Sequence, residues 1–432
     1  MSLVVGIVGY FLVCKVRNKN AGLLYLLIYV CVPYFTQAGR VALDCNLMLG
    51  MTVVMLYILH ECIKVSNVDR MHLPFILGVV TGLTFYTYAL SYIIIPLFYV
   101  GTFLIMIICK RRLSLKAMAL FAIPVLILAF PLILVQIVNI FDIPEIKLFN
   151  LTITKLLYYR GNEISLHEIK DNIVWIYRSI FTADNTEFDS FPQFGTLYFF
   201  SLPFIILGSL VTLVRFIEGL KRKVIIYDGI ILMYAAVVLV SALFIRGVTT
   251  YRINSVFFGF VFAVVIAIEY LISGVSFDVT SRAIHNISYV LGYGALVGYI
   301  GFALLFYRYY FCEYKDDIYP QRLFAEDPTE AFEYIEALDE EYVRRLTYVG
   351  GVDEAYIYWL LSRRISPYEY DVNKYGNNGD GVRYMFYTRA PYDKDCNYIM
   401  YNPDNESREE LISIGLEEHN FGAYKVYIAD RN

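Results

Sequence analysis

The chain has 432 residues, of which 58% are hydrophobic and only 18% charged, a composition too apolar for a soluble protein of this size. Its net charge of −4 conceals two unequal parts: residues 308–432 hold 14 Lys and Arg against 25 Asp and Glu, whereas residues 1–307 hold 22 against 15. The basic residues form no cluster typical of nucleic-acid binding. Composition therefore predicts a transmembrane domain over 1–307 and a soluble domain over 308–432.

Ten apolar runs follow one another in the first part of the chain. Most of them approach the ~20 residues that a helix needs to cross the hydrocarbon core. We therefore expect a mainly α-helical, polytopic membrane bundle of about ten helices. The runs lie at 2–14, 21–36, 44–63, 73–89, 92–109, 117–140, 196–217, 224–245, 254–273 and 287–307.

The Lys and Arg residues of the connecting loops predict the orientation of these helices. One alternating set of loops holds 14 of them, whereas the opposite short loops hold Arg40, Arg246 and Arg252. Because cytoplasmic loops carry the excess of positive charge, the first set is predicted to be cytoplasmic. The long loop 141–195 and the tail are then expected outside the cytoplasm, in a multi-pass protein of the plasma or inner membrane.

This orientation has a consequence for residues 2–14, the shortest of the runs. They would cross from outside to inside with no signal ahead of them. We therefore expect that an upstream helix and loop belong to the protein and precede this chain. The alternative is that residues 2–14 form a weak anchor whose N-terminus lies outside.

The loop 141–195 contains two segments, 144–160 and 166–181, with apolar residues near helical spacing. Both are predicted to be amphipathic helices at the outer interface of the membrane. An acidic cluster follows them, and its spacing matches no calcium loop, so a solvated loop is the ordinary interpretation. In this part of the loop, possible substrate contacts are Asp184, Asn185 and Gln193.

Two short outer turns hold charges close to the membrane, where a charge usually faces a cavity or a partner. In the first turn, Arg40 and Asp44 either form a salt bridge that caps the next helix or act on a ligand. In the second case Arg40 binds an anionic lipid or a phosphate, and Asp44 orients Arg40 or acts on a substrate hydroxyl. Arg246 and Arg252 bracket the second turn. They either anchor at the lipid headgroups or bind an anion, because a guanidinium matches phosphate oxygens.

The tail alternates helix and strand patterns, which predicts a small α/β domain. Asp327 and Pro328 are expected to start its first helix, with Asp327 as the cap. We expect helices at 330–341, 353–364 and 407–416, and strands at 346–351, 383–388, 397–402 and 424–428.

Seven cysteines show no spacing typical of a metal site. Five lie in apolar segments, where a thiol behaves as a small hydrophobic group. Cys312 and Cys396 lie in the tail, where two unpaired thiols are expected and a disulfide is the alternative. The sequence identifies no cofactor and leaves a divalent metal open.

Several of these segments resemble the GT-C superfamily of bacterial lipid-linked-sugar glycosyltransferases, nearest to the family 39 or protein-mannosyltransferase-like group. Residues 21–49, which include FTQAGRVALDCNLM, are similar to a family helix that ends in an Arg-containing turn before an acidic residue. Residues 72–100, 188–210 and 246–271 resemble later family segments. The resemblance covers most of residues 1–307.

The resemblance implies a GT-C-like fold and an inverting transfer of a sugar from a polyprenyl-phosphate donor to an acceptor on the outer face. In such a reaction a carboxylate takes the acceptor's proton and basic residues stabilise the leaving phosphate. By resemblance, Arg40, Arg246 and Arg252 match the basic positions, and Asp44 has a supporting role. The family's principal acidic motif lies in a first outer loop that we expect to precede this chain, so no residue here inherits the role of the base.

The leading hypothesis is a membrane glycosyltransferase, or the major part of one, whose partners are membrane lipids and a lipid-linked donor. Its acceptor, whether glycan, lipid or protein, is not identified. The alternatives are a transporter or flippase of lipid-linked saccharides and a catalytically degenerate envelope protein. A transporter needs polar groups at mid-bilayer, whereas the interiors of these runs hold little more than Thr, Ser and Tyr, and Asp228 and Glu269 lie near the predicted cytoplasmic ends.

Overall fold

A computed structural model describes most of the chain, which divides into two compact units, Met1–Tyr307 and Arg308–Asn432. The predicted fold class, a mainly α-helical bundle with a small C-terminal α/β domain, is confirmed. The described residues are 1–41, 43–64, 70–111, 114–148, 151–156, 159–165, 167–181, 191, 193–273, 282–314, 326–351, 355–366, 384–386 and 391–429.

In its described residues, the first unit consists of helices with one hairpin and two 3₁₀ turns. The helices occupy the places of the predicted apolar runs, although the second run is divided by Pro33 into two helices. In chain order the elements are α1 Ser2–Val16, α2 Lys19–Cys31, α3 Pro33–Ala38, α4 Cys45–Lys64, α5 His72–Thr84, α6 Ser91–Ile108, α7 Leu115–Ile140, β1 Glu145–Leu148, β2 Leu151–Thr154, the 3₁₀ turn Arg160–Glu163, α8 Ile169–Phe181, α9 Ser201–Lys221, α10 Tyr227–Ala242, the 3₁₀ turn Tyr251–Ile253, α11 Val256–Ile272 and α12 Arg282–Cys312.

Within the part of the chain that the structure describes, five helices are long and apolar enough to cross a membrane: α4, α6, α7, α9 and α12. Five more, α1, α2, α5, α10 and α11, are apolar but shorter. In α7, Leu115 and Leu126 are 83% and 61% exposed. Apolar surface of this extent needs lipid around it rather than water. The chain is therefore a multi-pass membrane protein.

Ion pairs join several helix connections at one end of the bundle, which we call the basic end. Arg17, in the α1–α2 turn, contacts Asp228 at 3.2 Å and Glu269 at 2.7 Å, at the start of α10 and the end of α11. Arg215 of α9 also contacts Asp228, which is only 4% exposed, and Lys15 pairs with Glu61 of α4. The two acidic residues at the predicted cytoplasmic helix ends thus have partners that neutralise them in place.

Two pairs of helices approach so closely that a glycine of one faces the backbone of the other. A Cβ atom on Gly208 of α9 would lie 1.8 Å from the carbonyl oxygen of Ala263 on α11, and one on Gly78 of α5 would lie 2.3 Å from that of Phe121 on α7. No side chain fits at such distances. These two glycines therefore set the spacing of the α9–α11 and α5–α7 pairs, as small residues do in membrane bundles.

The first half of the long loop contradicts its predicted helix. Residues 144–160 contain the antiparallel hairpin β1–β2, in which Glu145 pairs with Thr154 and Ile146 with Ile153. The segments EIKL and LTIT alternate polar and apolar residues with a period of two, and β-branched residues favour strands. The second predicted helix is confirmed as α8.

The second unit contains a five-stranded sheet of order β4-β3-β5-β7-β6, in which β3 is parallel to β4 and β5 and the other pairs are antiparallel. Both faces are covered, because Ile399 and Val426 point into one core and Tyr398 and Tyr427 into another. Its elements are α13 Thr329–Glu336, α14 Glu340–Val343, β3 Thr347–Gly350, α15 Ala355–Ser362, β4 Tyr384–Met385, β5 Asn397–Tyr401, α16 Asn405–Ser413, β6 Leu416–Phe421 and β7 Tyr424–Ala429.

Two details of this unit correct the prediction, and a third concerns its cysteines. The first helix begins at Thr329, whose backbone N–H donates to the Asp327 carboxylate at 3.0 Å, one residue later than expected. The helix predicted over 407–416 ends at Ser413, and Gly415, at φ 92°, leads into β6, a strand that the sequence analysis missed. Cys312 and Cys396 are free thiols, so the disulfide alternative is wrong.

Candidate functional site

Residues 163–165 of the long loop lie alongside the connection between α10 and α11. The backbone N–H of Ser165 donates to the carbonyl of Phe244 and that of Arg246 donates to the carbonyl of Glu163, both at 2.8 Å. Nearby, the side-chain amide of Asn172 on α8 donates to Leu243 and Ile245 at 3.0 and 2.9 Å. These contacts bring the acidic residue Glu163 to the predicted anion-binding turn.

Arg252 lies at the centre of this arrangement. Its Nη1 donates to Oε2 of Glu163 at 2.9 Å and to the carbonyl of Arg246 at 3.1 Å. The side chains of Arg252 and Glu163 are only 20% and 15% exposed. The buried Nε atom of Arg252 has no hydrogen-bond partner among the described residues. A buried donor without an acceptor is costly, and an oxygen of a bound anion would satisfy it.

The surroundings of Arg252 keep its charge in place. Burial alone would lower the pKa of the guanidinium, but Tyr88, in the α5–α6 connection, Glu163 and the neighbouring Tyr251, which also hydrogen-bonds the side chain, together outweigh burial and raise the pKa above its ordinary value. A fixed positive charge at a partly buried position is what recognition of a phosphate requires.

Arg246, the second predicted arginine, is placed differently. Its guanidinium is 63% exposed, and its Nε lies 3.9 Å from the Glu168 carboxylate, which makes a weak surface pair. Its backbone carbonyl, however, accepts the hydrogen bond from Arg252. The two predicted arginines are therefore brought together, with Arg252 buried and Arg246 at the rim.

The turn that holds Arg40 and Asp44 lies at the same end of the bundle as Arg252. The amide of Asn254, two residues after Arg252, donates to the carbonyl of Cys45 at 2.9 Å and to Oδ1 of Asn46 at 3.2 Å. Asn46 in turn donates to the carbonyl of Val41 at 2.9 Å. Two buried asparagines thus fasten the predicted turns to each other.

Arg40 and Asp44 are both exposed in this turn. Oδ1 of Asp44 accepts the backbone N–H of Cys45 at 2.8 Å, so Asp44 helps to cap the start of α4. The salt bridge with Arg40, which the capping interpretation includes, stays a prediction. The roles of Arg40 and Asp44 toward a ligand stay predictions.

The third predicted place is only partly described. Gln193 is exposed at φ 70°, in a turn closed by the Gly195 N–H and the Phe191 carbonyl at 2.7 Å. The segment continues to Thr196, whose carbonyl accepts from the N–H of Tyr34 in the first turn of α3. Asp184 and Asn185 lie outside the described residues. In the part of the chain that the structure describes, no group of His, Cys, Asp and Glu is placed to hold a metal.

Sequence reasoning missed Glu163, Asn46 and Asn254. A signal existed for the two asparagines, because each lies at the start of an apolar run, where an uncharged polar side chain has to find a partner. No signal existed for Glu163, because its pairing with Arg252 joins residues 89 positions apart.

No family model matches this sequence, and no curated protein matches it. Among solved structures, the chain is similar to the crystal structure of ArnT from Cupriavidus metallidurans bound to undecaprenyl phosphate, with 11% sequence identity and a TM-score of 0.45. The similarity covers 99% of this chain and 82% of that chain. A likeness at this level does not establish a shared site or activity.

Proposed function

We propose that this protein is an integral membrane glycosyltransferase that takes a sugar from a polyprenyl-phosphate donor and transfers it to an acceptor outside the cytoplasm. The observation that carries the proposal is the buried Nε–H of Arg252, a charged donor without an acceptor at the end of the bundle that also holds Arg40 and Asp44. A phosphate oxygen is the ligand that such a group favours.

In the proposed reaction Arg252 binds the phosphate of the donor and stabilises its negative charge as the bond to the sugar breaks. Arg246 and Arg40 contribute at the rim, where their exposed guanidinium groups attract an anionic headgroup from the membrane surface. Asp44 supports the acceptor hydroxyl. Glu163 positions Arg252 through the 2.9 Å hydrogen bond.

The test is binding of a polyprenyl phosphate, the leaving group of the reaction, to the purified full chain in detergent, with Arg252→Ala, Arg252→Lys and the control Arg222→Ala. Arg222 is an exposed arginine at the opposite, basic end. We expect Arg252→Ala to weaken binding by a factor on the order of ten to a hundred, Arg252→Lys to weaken it less, and Arg222→Ala to leave it unchanged. Equal binding by all four proteins would remove Arg252 from the site.

A transfer assay with a polyprenyl-phosphate sugar then separates this proposal from the transporter alternative. A glycosyltransferase releases free polyprenyl phosphate and loses turnover with Arg252→Ala. A transporter moves the intact lipid-linked sugar between the leaflets of a vesicle and releases none. Release of no polyprenyl phosphate in the presence of measurable movement across the bilayer would overturn the proposed reaction.

A further inference from the structure

Two neighbouring cavities lie at the basic end of the bundle, away from the site described above. One has a volume of about 520 Å³ and lies between the ends of α4, α6 and α9. The other, of about 900 Å³, lies between α5, α6 and α7. Ile63, Lys110 and Arg111 line both cavities, so the two adjoin at these residues.

The smaller cavity is strongly cationic. Four of its ten lining residues are basic, namely Lys64, Lys110, Arg111 and Lys223, and none is an aspartate or glutamate. Within the described part of the chain, Lys64, Lys110 and Lys223 form no ion pair, whereas Lys15 and Arg17 at the same end are paired with carboxylates. The unpaired charges therefore converge on the cavity.

Two of these lysines occupy a backbone conformation that favours glycine. Lys110 and Lys223 directly follow the last turns of α6 and α9, with φ of 53° and 60°. In each case the lysine N–H and the next N–H bond back to the helix carbonyls, as from Lys110 to Ile107 and from Arg111 to Met106, both at 2.9 Å. This helix ending ordinarily has glycine at the left-handed position. A lysine is strained there, because its Cβ atom disfavours the left-handed conformation.

The larger cavity provides an apolar cleft beside this charge. It is lined by Leu73, Leu77, Phe103, Met106 and Phe121, and only its rim carries Arg70, Lys110 and Arg111. The cleft follows α6 from Tyr99 to Met106, about 10 Å of helix rise, and continues to Lys110 and Arg111 just beyond the helix. It thus has a charged end and an apolar body, which matches a phosphate-bearing headgroup joined to a hydrocarbon chain.

We propose that the two cavities together form a binding site for an anionic glycerophospholipid of the surrounding membrane. The lipid phosphate lies among Lys64, Lys110 and Lys223, and one acyl chain lies in the cleft between α5, α6 and α7. Charge complementarity selects this occupant, because unpaired basic residues at the end of a membrane bundle attract acidic lipid headgroups. The site is separate from Arg252 and does not depend on the proposed transferase activity.

The test uses native mass spectrometry to count phosphatidylglycerol and phosphatidylcholine molecules bound to the full chain and to the double variant Lys110→Gly, Lys223→Gly. Glycine suits both backbone positions, so this variant removes two charges without a penalty in folding. We expect phosphatidylglycerol to bind in preference to phosphatidylcholine and its affinity to fall on the order of thirtyfold in the variant. Equal binding of the two lipids to the wild type would overturn the proposal.

The matched control is Arg364→Gly. Arg364 follows α15 in the same left-handed conformation, at φ 51°, with the same backbone hydrogen bonds to Leu361 and Leu360, but lies in the second unit. It removes one positive charge from an equivalent helix ending, and lipid binding should not change. A loss of phosphatidylglycerol as large as that in the lysine variant would show a general charge effect and overturn the site.

A second pair of variants tests the cleft. Ala122 of α7 lines the cleft, whereas Ala129, two turns further along α7, does not. Ala122→Phe should therefore weaken phosphatidylglycerol binding, and Ala129→Phe should not.

A competition experiment tests the identity of the ligand. If inorganic phosphate or a polyprenyl phosphate displaced the phospholipid at equal or lower concentration, the cavities would be assigned to that ligand instead.

Discussion

Arg252 and Glu163 form a charge pair whose geometry indicates a role in ligand binding as well as in stability. The pair is largely buried, yet one donor of the guanidinium, Nε, has no acceptor among the described residues. A pair selected for stability alone would satisfy every donor, because a half-satisfied buried network costs more than it contributes. We infer that the Nε–H donor of Arg252 is available to a ligand and that Glu163 supplies the counter-charge before the ligand binds.

This inference predicts whether one substitution strengthens or weakens phosphate binding. Glu163→Gln keeps an oxygen that can accept from Nη1 of Arg252 but removes the negative charge that opposes an anion. We expect the variant to bind a polyprenyl phosphate more tightly, on the order of tenfold, and to unfold at a lower temperature without ligand. Binding to the purified protein and thermal unfolding in detergent measure the two effects.

Glu168→Gln is the matched control for this substitution. Glu168 faces Arg246 at 3.9 Å, and its side chain is 38% exposed. Solvent screens such a pair, so both binding and unfolding temperature should stay close to wild type. If Glu163→Gln binds the phosphate more weakly than wild type, the carboxylate positions the ligand rather than competing with it.

At the scale of elements, the accuracy of sequence reasoning depended on the length of the pattern. The apolar runs and α8 were predictable because a long period or a long apolar stretch is a local property of the chain. The hairpin β1–β2 was missed because four-residue strands give too few repeats to separate a period of two from one of 3.6. The strand β6 was missed because its residues, LEEHNF, are mostly polar and are held by pairing with β7.

An ion pair ties α16 to the β6–β7 hairpin in the second unit. Arg408 of α16 donates through Nε and Nη2 to the two carboxylate oxygens of Glu418, both at 2.7 Å, and the hydroxyl of Tyr427 donates to Glu418 at 3.0 Å. Burial raises the pKa of Glu418, but these donors outweigh it and leave the pKa below its usual value. The ionised Glu418 carboxylate therefore stabilises the folded unit above the unfolded pKa of about 4.3, and this contribution is lost as the pH falls through the folded pKa.

We accordingly expect Glu418→Gln to lower the free energy of unfolding of this unit by about 1 kcal/mol at pH 7, a value reduced by the partial exposure of Arg408. The difference from wild type should shrink as the pH falls below about 4. Denaturant unfolding of the full chain, followed by Trp359 fluorescence in a Trp175→Phe background, reports on this unit, because the sequence holds only two tryptophans.

Glu417→Gln provides the comparison. The Glu417 side chain is 54% exposed, and it lies 3.7 Å from His419. The substitution Glu417→Gln should therefore change the unfolding free energy little at any pH. The assigned role of Glu418 would be contradicted if Glu418→Gln lowered the free energy of unfolding equally at every pH, or if Glu417→Gln lowered it as much.

At the scale of the whole molecule, the two ends of the helical unit carry different chemistry. The basic end combines ion pairs such as Arg17 with Asp228 and the unpaired lysines of the smaller cavity. The other end holds the Arg252 site, built from three connections that are far apart in the sequence. The charge asymmetry can be predicted from composition. The joining of these connections cannot, because it depends on single hydrogen bonds between distant residues, such as that from Asn254 to Cys45.

The asymmetry predicts which end faces the cytoplasm. Fourteen basic residues in one set of loops against three in the other place the basic end inside, and the pairing of some of them does not alter this, because the rule counts Lys and Arg rather than net charge. Cys312, exposed at the last residue of α12, should then lie outside. In a variant that retains only this cysteine, a membrane-impermeant maleimide should label intact cells.

A cysteine at the basic end should behave in the opposite way. Lys221, the last residue of α9, is exposed, and Lys221→Cys in a background without other cysteines should be labelled only after the membrane is permeabilised. Labelling of Lys221→Cys but not of Cys312 in intact cells would invert the orientation. The Arg252 site would then face the cytoplasm, and the proposed transfer to an acceptor outside the cell would fail with it.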